Sequence, residues 1–562
     1  ADQRRRGALV PGAPPRSPCH RYGRKHPILS TLSLPQRSRP QLPTGQPWQW
    51  RLAMLPAGWL HAASLAWPGH GAALWWLQLL RLALLCKALL AAPRRRDGAL
   101  LGWLFGTSWL VGTFWWLFTS MHTYGGLAAP LAAAGVLALA LFLALYYAAV
   151  CALFKHFSFT HRAVNALVFA ACWLLAELAR GVLWTGFPWG ASGYAHISGL
   201  LFPLARWVGV YGIGAAAAGL AMLLAQVRRS DLRDPKIWAM CGYGAMLLFG
   251  LHAQRQLTLN NYRHEQPPLS VALLQGNIPQ DEKFQAGTGI PLALQWYSRQ
   301  LYASQADLTL APETAIPLLP QQLSPGYLDG LRSWFSTWGD HRAALVGMPL
   351  GNAAQGYTNS VIGWSPAEPS AYRYDKHHLV PFGEFIPPLF QWFVRMMDIP
   401  LGEFSQGALV QPSLHWAGER IAPTICYEDL FTEELAARFA NEAQAPTIFA
   451  NLSNIAWFGD SVAIDQHLHI SQMRALEFER PFLRATNTGA TAIIDHRGNV
   501  VQQLPSAQRA VLTGEVTGHQ QRTPYARWMA VTGLWPLAAW ALVVLGLALW
   551  QHRRGKQRCA TS

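Results

Sequence analysis

The sequence predicts a bundle of membrane-spanning α-helices joined to an α/β domain that lies in water. Hydrophobic residues make up 51% of the chain and charged residues only 13%, about half the charged fraction of a typical soluble protein. The charge is also unevenly distributed, because residues 265–522 hold 24 of the 29 acidic residues but only 15 of the 45 basic ones. That acidic region alternates short β-type runs with polar helical stretches. We therefore expect two parts in two different environments.

The N-terminal segment, residues 1–51, is rich in Arg, Pro, Gly and Ser, with ten basic residues and one acidic residue, Asp2. It lacks the apolar centre of a signal peptide. We expect a basic disordered tail.

Apolar segments fill residues 52–253 and return at residues 526–551. A spanning helix needs about 20 apolar residues to cross about 30 Å of hydrocarbon. Five segments meet this requirement clearly: Leu100–Thr119, Leu131–Phe154, Ala163–Leu183, Leu204–Gln226 and Met529–Trp550. Three meet it less well, being short or interrupted by basic residues: Leu52–Trp67, Ala72–Ala92 and Ile237–Ala253.

Short basic runs lie between these segments, where the positive-inside rule places them on the cytoplasmic side. The runs are the N-terminal tail, Arg94–Arg96, Lys155–Arg162, Arg228–Lys236 and His552–Arg558. Only eight spans put all of them on one side. This predicts seven spans in residues 52–253, an exterior domain at 254–525, a last span at 526–551 and a cytoplasmic tail at 552–562. The same placement argues against nucleic acid as the partner of the basic residues.

The exterior domain is long enough for a full core, and its pattern predicts strands alternating with helices. The predicted strands are Val271–Gln275, Leu308–Ala311, Ala343–Val346, Ser360–Trp364, Ile421–Ile425, Pro446–Ala450, Ala490–Ile494 and Ala510–Thr513. The predicted helices are Ser324–Trp338, Asp429–Ala440 and Gln466–Arg480.

Cys426 is the one cysteine of seven that lies in the acidic domain. It ends a predicted strand, and the helix that follows favours a thiolate at its N-terminus. It is therefore either a nucleophile or an inert packing residue. The cysteine spacings show no metal-site pattern, and no metal is predicted.

Two further sites carry charge in apolar surroundings. Glu313 follows a strand directly, where a partly desolvated carboxylate can act as a general base; a surface position is the alternative. Lys376 lies in an apolar loop and needs a partner such as Glu384 or Glu313, unless the loop is simply solvated. The side chains of the adjacent His377 and His378 diverge, so they do not form a metal site.

Several motifs together resemble the nitrilase superfamily and, more closely, its membrane-embedded branch, the apolipoprotein N-acyltransferase family. The resemblance covers residues 52–550. The motifs are RGVLWTGFPW (180–189), KHHLVPFGEF (376–385), CYE (426–428), NLSN followed by AWFGDS (451–461), RALEFERPFLRATNTG (474–489) and TPYARW (523–528). The resemblance implies that the exterior domain has a four-layer αββα fold.

The resemblance implies a Glu–Lys–Cys triad in which Glu313 is the base, Lys376 stabilises the oxyanion and Cys426 is the nucleophile. The sn-1 acyl chain of a phospholipid, phosphatidylethanolamine, would pass through a Cys426 thioester to an apolipoprotein. The acceptor would be the α-amine of the N-terminal diacylglyceryl-cysteine, and no cofactor is implied. The enzyme would be a monomer in the bacterial inner membrane, with its catalytic domain in the periplasm.

Around the triad, Glu384 and Glu428 would orient Lys376 and the cysteine turn, with Tyr427 beside them. Lipid contacts would come from Phe284, where the family often has Trp, and from Trp457, Phe458 and the apolar run Phe385–Met397; core packing is the alternative for the last three. Glu177 and Arg180 lie three residues apart on a predicted span and could pair there.

Two other functions remain open. A membrane-anchored amidase would use the same triad in an open, wet pocket, and it gives no reason for eight helices. A non-enzymatic lipid-binding or transport protein would be expected to lack at least one triad residue, yet all three are present.

Overall fold

The computed structural model describes residues 47–560, apart from 158, 263–265, 339–341 and 387–403. Nearly all of the predicted N-terminal tail therefore lies outside the described residues, as does most of the apolar run Phe385–Met397.

The apolar part of the chain forms long helices. They are α1 (Pro47–Ala63), α2 (Trp75–Ala91), α3 (Arg95–Phe114), the short α4 (Leu117–Thr119), α5 (Ala129–His156), α6 (Arg162–Val182), α7 (Ala205–Ala225) and α8 (Pro235–Asn260). A π-turn, Ser120–Tyr124, extends α4, and the two together bend 60° from α3.

The prediction of eight spans is only partly supported. Within the described residues, four helices are long and apolar enough to cross a membrane, and five if the bent pair is one span. The four are Ala129–His156, Arg162–Thr185, Phe202–Ala225 and Trp535–Arg554. α1 and α2 have 17 residues each, about 26 Å of helix at 1.5 Å per residue, which is less than the hydrocarbon thickness. α8 is long enough, but it ends in a polar stretch.

The last predicted span, Met529–Trp550, is two helices rather than one. The first is α13 (Pro524–Thr532), and the second is α14 (Trp535–Ala560). The break falls at Gly533, whose φ of 54° and ψ of −144° interrupt the helical path. Only glycine adopts such a conformation readily.

The helices run between two distinct ends of the bundle. One end collects the basic segments through four contacts: the ion pairs Arg51–Asp97 and Arg162–Asp231, the packing of Gly98 against Lys155, and the ring contact of His156 with His552. The other end meets the α/β domain through hydrogen bonds of His469, Tyr427 and Trp528 with the carbonyls of Leu65, Gly186 and Trp207.

The remaining residues form two six-stranded sheets. The first has the order β12-β1-β2-β3-β4-β5 and the second β11-β10-β9-β8-β7-β6. In each sheet three central strands are parallel, β1 to β3 and β7 to β9, and antiparallel strands flank them. The strands are β1 (Leu269–Gln275), β2 (Leu308–Ala311), β3 (Ala343–Asn352), β4 (Gly356–Ser365), β5 (Glu368–Asp375), β6 (Leu414–Trp416), β7 (Glu419–Ile425), β8 (Ile448–Ser453), β9 (Phe482–Thr486), β10 (Ala492–Ile494), β11 (Val500–Gln503) and β12 (Ala510–Val516).

The two sheets pack face to face, and helices cover both outer faces. Leu273 of the first sheet and Leu452 of the second share the central core. The outer face of the first sheet carries α9 (Gly289–Ala303) and α10 (Tyr327–Ser333). The outer face of the second carries α11 (Thr432–Ala437), α12 (Ala463–Phe478) and α13. This is the expected four-layer αββα arrangement.

A single apolar core joins the helical bundle to the α/β domain. Buried residues of α12, including Ile470 and Met473, belong to the same cluster as Trp109 and Trp173 of the bundle. Tyr427 and Leu430, from the turn after β7, also belong to it.

Candidate active site

The structure brings the three predicted catalytic residues to the carboxyl ends of strands. Glu313 lies two residues after β2, Lys376 follows β5 directly, and Cys426 follows β7 directly. Because β2 and β5 belong to one sheet and β7 to the other, both sheets contribute to the site, which lies at the carboxyl ends of their strands.

Lys376 lies between two carboxylates. Its Nζ is 2.9 Å from Oε2 of Glu384 and 3.5 Å from Oε1 of Glu313, and the residue is only 1% exposed. Burial alone would lower the pKa of this amine, but Glu384 and Glu313 raise the pKa above its ordinary value. Lys376 is therefore a fixed ammonium at neutral pH, and both of the carboxylates that the sequence offered as partners lie within ion-pair distance of it.

Both oxygens of the Glu313 carboxylate accept hydrogen bonds. The Asn359 side chain donates to Oε1 at 2.7 Å, and the backbone N–H of Asn454 donates to Oε2 at 2.9 Å. The same Asn359 nitrogen donates to Glu384 at 2.7 Å. These bonds fix the direction of the Glu313 carboxylate.

Cys426 begins a 3₁₀ turn, Cys426–Leu430, with a left-handed φ of 51°. Such a backbone is strained for a residue other than glycine. Burial and, to a smaller extent, the charge of Glu313 raise the pKa of the thiol to about 12, although the charge of Lys376 opposes both. At neutral pH the thiol is protonated, so it needs a base in order to react.

Glu428 joins the cysteine turn to the Lys376 loop. Its carboxylate accepts 2.6 Å hydrogen bonds from the backbone N–H groups of Ile425 and His377. The hydroxyl of Tyr374 donates to the same carboxylate at 2.9 Å. Glu428 therefore links the Cys426 turn to the Lys376 loop, and its role in orienting them stays a prediction.

The two adjacent histidines lie at the edge of the site. His378 contacts Oε1 of Glu434 at 2.7 Å and stacks on Phe431. Burial lowers the pKa of His378 to about 4, so this ring is neutral near pH 7. In the described part of the chain, no group of three or more His, Cys, Asp or Glu side chains could hold a metal ion.

The aromatic residues predicted to contact lipid occupy different surroundings. Phe284 is 53% exposed and Trp457 is 39% exposed. Phe458 instead packs against Trp116 and Trp189 of the helical part, with ring centroids 4.2 Å and 6.1 Å away. Their contact with lipid stays a prediction.

The segment Arg180–Trp189 lies against the site from the helical side. The Tyr427 hydroxyl donates to the carbonyl of Gly186 at 3.3 Å. Arg180 donates to the carbonyls of Phe187 and Trp189. Glu177 accepts from the backbone N–H and hydroxyl of Ser192. Glu177 and Arg180 therefore bond to other groups instead of forming the predicted pair.

Sequence reasoning missed three residues that contact Glu313: Asn359, Asn454 and Lys283. Lys283 is 1% exposed and donates to the backbone carbonyl of Glu313 at 3.1 Å. Burial lowers the pKa of Lys283 to about 8. A lysine in a run of polar residues reads as a surface residue, and only the fold shows that it is buried.

A Glu, Lys and Cys at the strand ends of an αββα sandwich define a nitrilase-type domain, here continuous with a bundle of apolar helices. Residues 270–525 match the carbon-nitrogen hydrolase family, and residues 58–223 match the apolipoprotein N-acyltransferase N-terminal domain.

Similar proteins support the same assignment. The chain is 57% identical to apolipoprotein N-acyltransferase of Verminephrobacter eiseniae, over 89% of this chain and 95% of that protein. It is 45% identical to apolipoprotein N-acyltransferase of Ralstonia nicotianae, over 85% of this chain and 90% of that protein. A carbon-nitrogen hydrolase from Helicobacter pylori has a structure with weak similarity, at 15% sequence identity and a TM-score of 0.33. The match covers 49% of this chain and 95% of that one, and this similarity is too weak to support a conclusion. The chain belongs to the apolipoprotein N-acyltransferase family.

Proposed function

We propose that this protein transfers an acyl chain from a phospholipid to the N-terminal amine of a diacylglyceryl apolipoprotein, by way of a thioester on Cys426. The observation that carries the proposal is the contact of Lys376 with both Glu313 and Glu384 beside the Cys426 turn. This arrangement brings a candidate base (Glu313), a fixed cation (Lys376) and a thiol (Cys426) into one site in a member of this family.

In the first half-reaction Glu313 removes the thiol proton, and the sulfur attacks the sn-1 ester carbonyl of the phospholipid. Lys376 and backbone N–H groups stabilise the oxyanion that forms on the carbonyl oxygen. The ester C–O bond then breaks, and Glu313 returns its proton to the departing lysophospholipid oxygen. The acyl chain remains on Cys426 as a thioester.

In the second half-reaction the α-amine of the lipoprotein cysteine attacks the thioester carbonyl. Glu313 accepts a proton from this amine, and the C–S bond breaks as the amide forms. The thiolate regains its proton from Glu313, which restores the starting state. A dry site favours the amine over water, and the exposed Phe284 and Trp457 would help to exclude water around a bound acyl chain. We infer a phosphatidylethanolamine donor and a monomeric enzyme.

We propose that eight helices, α1, α2, α3, α5, α6, α7, α8 and α14, cross the inner membrane, with both chain ends in the cytoplasm and residues 254–525 in the periplasm. α1 and α2 support this, because their buried residues Met54 and Leu82 share the apolar core of the longer helices. The clustering of basic segments at one end of the bundle and of the α/β domain at the other also agrees with it.

Incubation with a labelled phospholipid and no acceptor tests the mechanism. The wild-type protein should accumulate labelled acyl chain that neutral hydroxylamine releases, because hydroxylamine cleaves thioesters and leaves amides intact. A diacylated lipopeptide should then discharge the label as an amide. Cys426→Ala should acquire no label, and Cys172→Ala, which replaces a buried cysteine of α6, is the matched control and should load normally. Rapid release of free fatty acid without acceptor would instead identify a hydrolase. Label that persists in Cys426→Ala would end the assignment of the nucleophile.

A further inference from the structure

A buried histidine on α12, His467, contacts the backbone carbonyl of the proposed nucleophile, Cys426. Nε2 of His467 is 3.3 Å from the backbone carbonyl oxygen of Cys426 and 3.0 Å from Oδ1 of Asp429. His467 and Asp429 are both fully buried. The proposed mechanism gives this histidine no part.

The partners of His467 determine which ring nitrogen carries the hydrogen. Nδ1 lies 3.0 Å from a guanidinium nitrogen of Arg484. A guanidinium can only donate hydrogen bonds, so Nδ1 accepts and Nε2 carries the hydrogen. His467 therefore donates towards Asp429 and the Cys426 carbonyl.

A second donor acts on the same carbonyl. The side-chain nitrogen of Asn451, on β8, donates to the Cys426 carbonyl at 3.1 Å. The carbonyl of Cys426 and the N–H of Tyr427 belong to one planar trans peptide, so they point in opposite directions. Two donors that hold the carbonyl therefore also fix the direction of the Tyr427 N–H.

The direction of this N–H matters because Tyr427 directly follows the proposed nucleophile, so its N–H is only a few bonds away from the sulfur of Cys426. A backbone N–H in that place can donate to the negative charge that develops on the attacked carbonyl oxygen.

The helical part of the protein holds His467 in place. Trp189 stacks on the imidazole, with ring centroids 5.5 Å apart at an angle of 29°. The Trp189 indole N–H also donates to the side chain of Gln466 at 2.7 Å. The imidazole is thus enclosed between the second sheet and the segment Arg180–Trp189.

We infer that His467 is a positioning residue for acyl transfer: with Asn451 it holds the Cys426–Tyr427 peptide so that the Tyr427 N–H faces the oxyanion. The inference rests on the proposed function. It does not require His467 to touch the substrate or to change the ionisation of the thiol.

The test separates oxyanion stabilisation from thiol reactivity. Loading of the acyl label from phospholipid passes through an oxyanion, whereas alkylation of Cys426 by iodoacetamide does not. In His467→Leu, which has no donor, the loading rate should fall by about tenfold or more. The alkylation rate at Cys426, followed by mass spectrometry of its peptide, should stay within about twofold. His467→Gln, whose amide can donate from nearly the same place, should recover part of the loading.

Two further variants keep the test decisive. Asn451→Ala removes the other donor to the same carbonyl and should give the same pattern, even if His467→Leu folds poorly. His469→Gln is the matched control, because His469 is also buried on α12 but bonds to the carbonyl of Leu65; it should load normally.

Each outcome has one meaning. Equal loading by wild type and by His467→Leu would overturn the inference, and so would a parallel fall of loading and alkylation in both the His467 and Asn451 variants. Failure of the wild type itself to load would count against the proposed function instead.

Discussion

The ammonium group of Lys283 donates a hydrogen bond to the backbone carbonyl of Glu313, 3.1 Å away. The loop that carries Lys283 thereby holds the backbone of the proposed base, while Asn359 and Asn454 hold its carboxylate. Lys283 is also a buried cation whose pKa is lowered to about 8 by burial, which gives it a measurable signature.

Replacing Lys283 by Met should change how stability depends on pH. The pKa of Lys283 is lower in the folded protein than the value of 10.5 expected when it is unfolded. Between about pH 8 and 10.5 the unfolded chain therefore binds more protons, so wild-type stability rises with pH across this window. The full difference corresponds to about 3 kcal/mol. Thermal unfolding in detergent should show that Lys283→Met raises Tm relative to wild type more at pH 7 than at pH 9.5. A Tm difference independent of pH would contradict the burial of a charged Lys283.

Lys376→Met should remove the fixed cation while nearly keeping the length of the side chain. Loss of one oxyanion-stabilising group costs about 3 kcal/mol, so the rate of acyl transfer should fall about a hundredfold or more. Membrane insertion should be nearly normal. Arg373→Met is the matched control on β5, the strand that leads to Lys376, because its exposed side chain pairs with Asp375. The activity of this variant should stay within about twofold of wild type. Wild-type activity in Lys376→Met would remove Lys376 from the mechanism.

The thiol of Cys426 should become more reactive towards iodoacetamide as pH rises, by about tenfold per unit between pH 7 and 9. This follows because its pKa is raised to about 12, so the thiolate fraction grows throughout that range. A plateau below pH 9 would show that the thiol ionises much earlier.

Glu313→Gln should separate alkylation from acyl transfer. The charge of Glu313 raises the pKa of Cys426, so its removal should increase the alkylation rate at pH 8. Acyl loading should nevertheless fall strongly, because the base has been lost. Loading and alkylation that both fall would instead indicate that the variant disrupts the site.

Reporter fusions should test the orientation of the chain. Fusions after Arg96, Arg233 and Arg554 should read as cytoplasmic, and a fusion after Thr358 should read as periplasmic. The expectation rests on the positive-inside rule. A periplasmic signal from any of the first three would rule out the eight-span arrangement.

Much of the α/β domain could be predicted because most of its strands contain a short run of apolar residues. All eight predicted strands overlap strands of the structure, as β1 illustrates. β9 (Phe482–Thr486) was missed because Arg484 interrupts its apolar run; in the folded protein that arginine is buried and pairs with Asp429. α9 was missed because it begins with Gly289 and Pro291, which are weak helix signals.

The candidate site was predictable only in part for a related reason. Glu313, Lys376 and Cys426 are the residue types that do chemistry, and Glu313 and Cys426 each follow a strand that hydrophobic patterning can locate. Lys376 follows β5, which the hydrophobic pattern did not predict. Asn359 and Asn454 have no such signal, since an asparagine in or after a strand usually means a turn. Their roles depend on contacts between segments far apart in the sequence.

The shared core of Tyr427, Met473 and Trp109 has a consequence for how this protein can vary between lineages. The helical bundle and the α/β domain match two separate families, but they cannot vary independently, because residues next to Cys426 pack into the helical bundle. A change in side-chain volume at Trp189 requires a compensating change on α12, because Trp189 stacks on His467. A change on α12 in turn affects the position of Cys426, whose carbonyl His467 contacts. Chimaeras that pair the helices of one relative with the α/β domain of another would therefore need compensating substitutions where α12 and the Cys426 turn pack against the helical bundle.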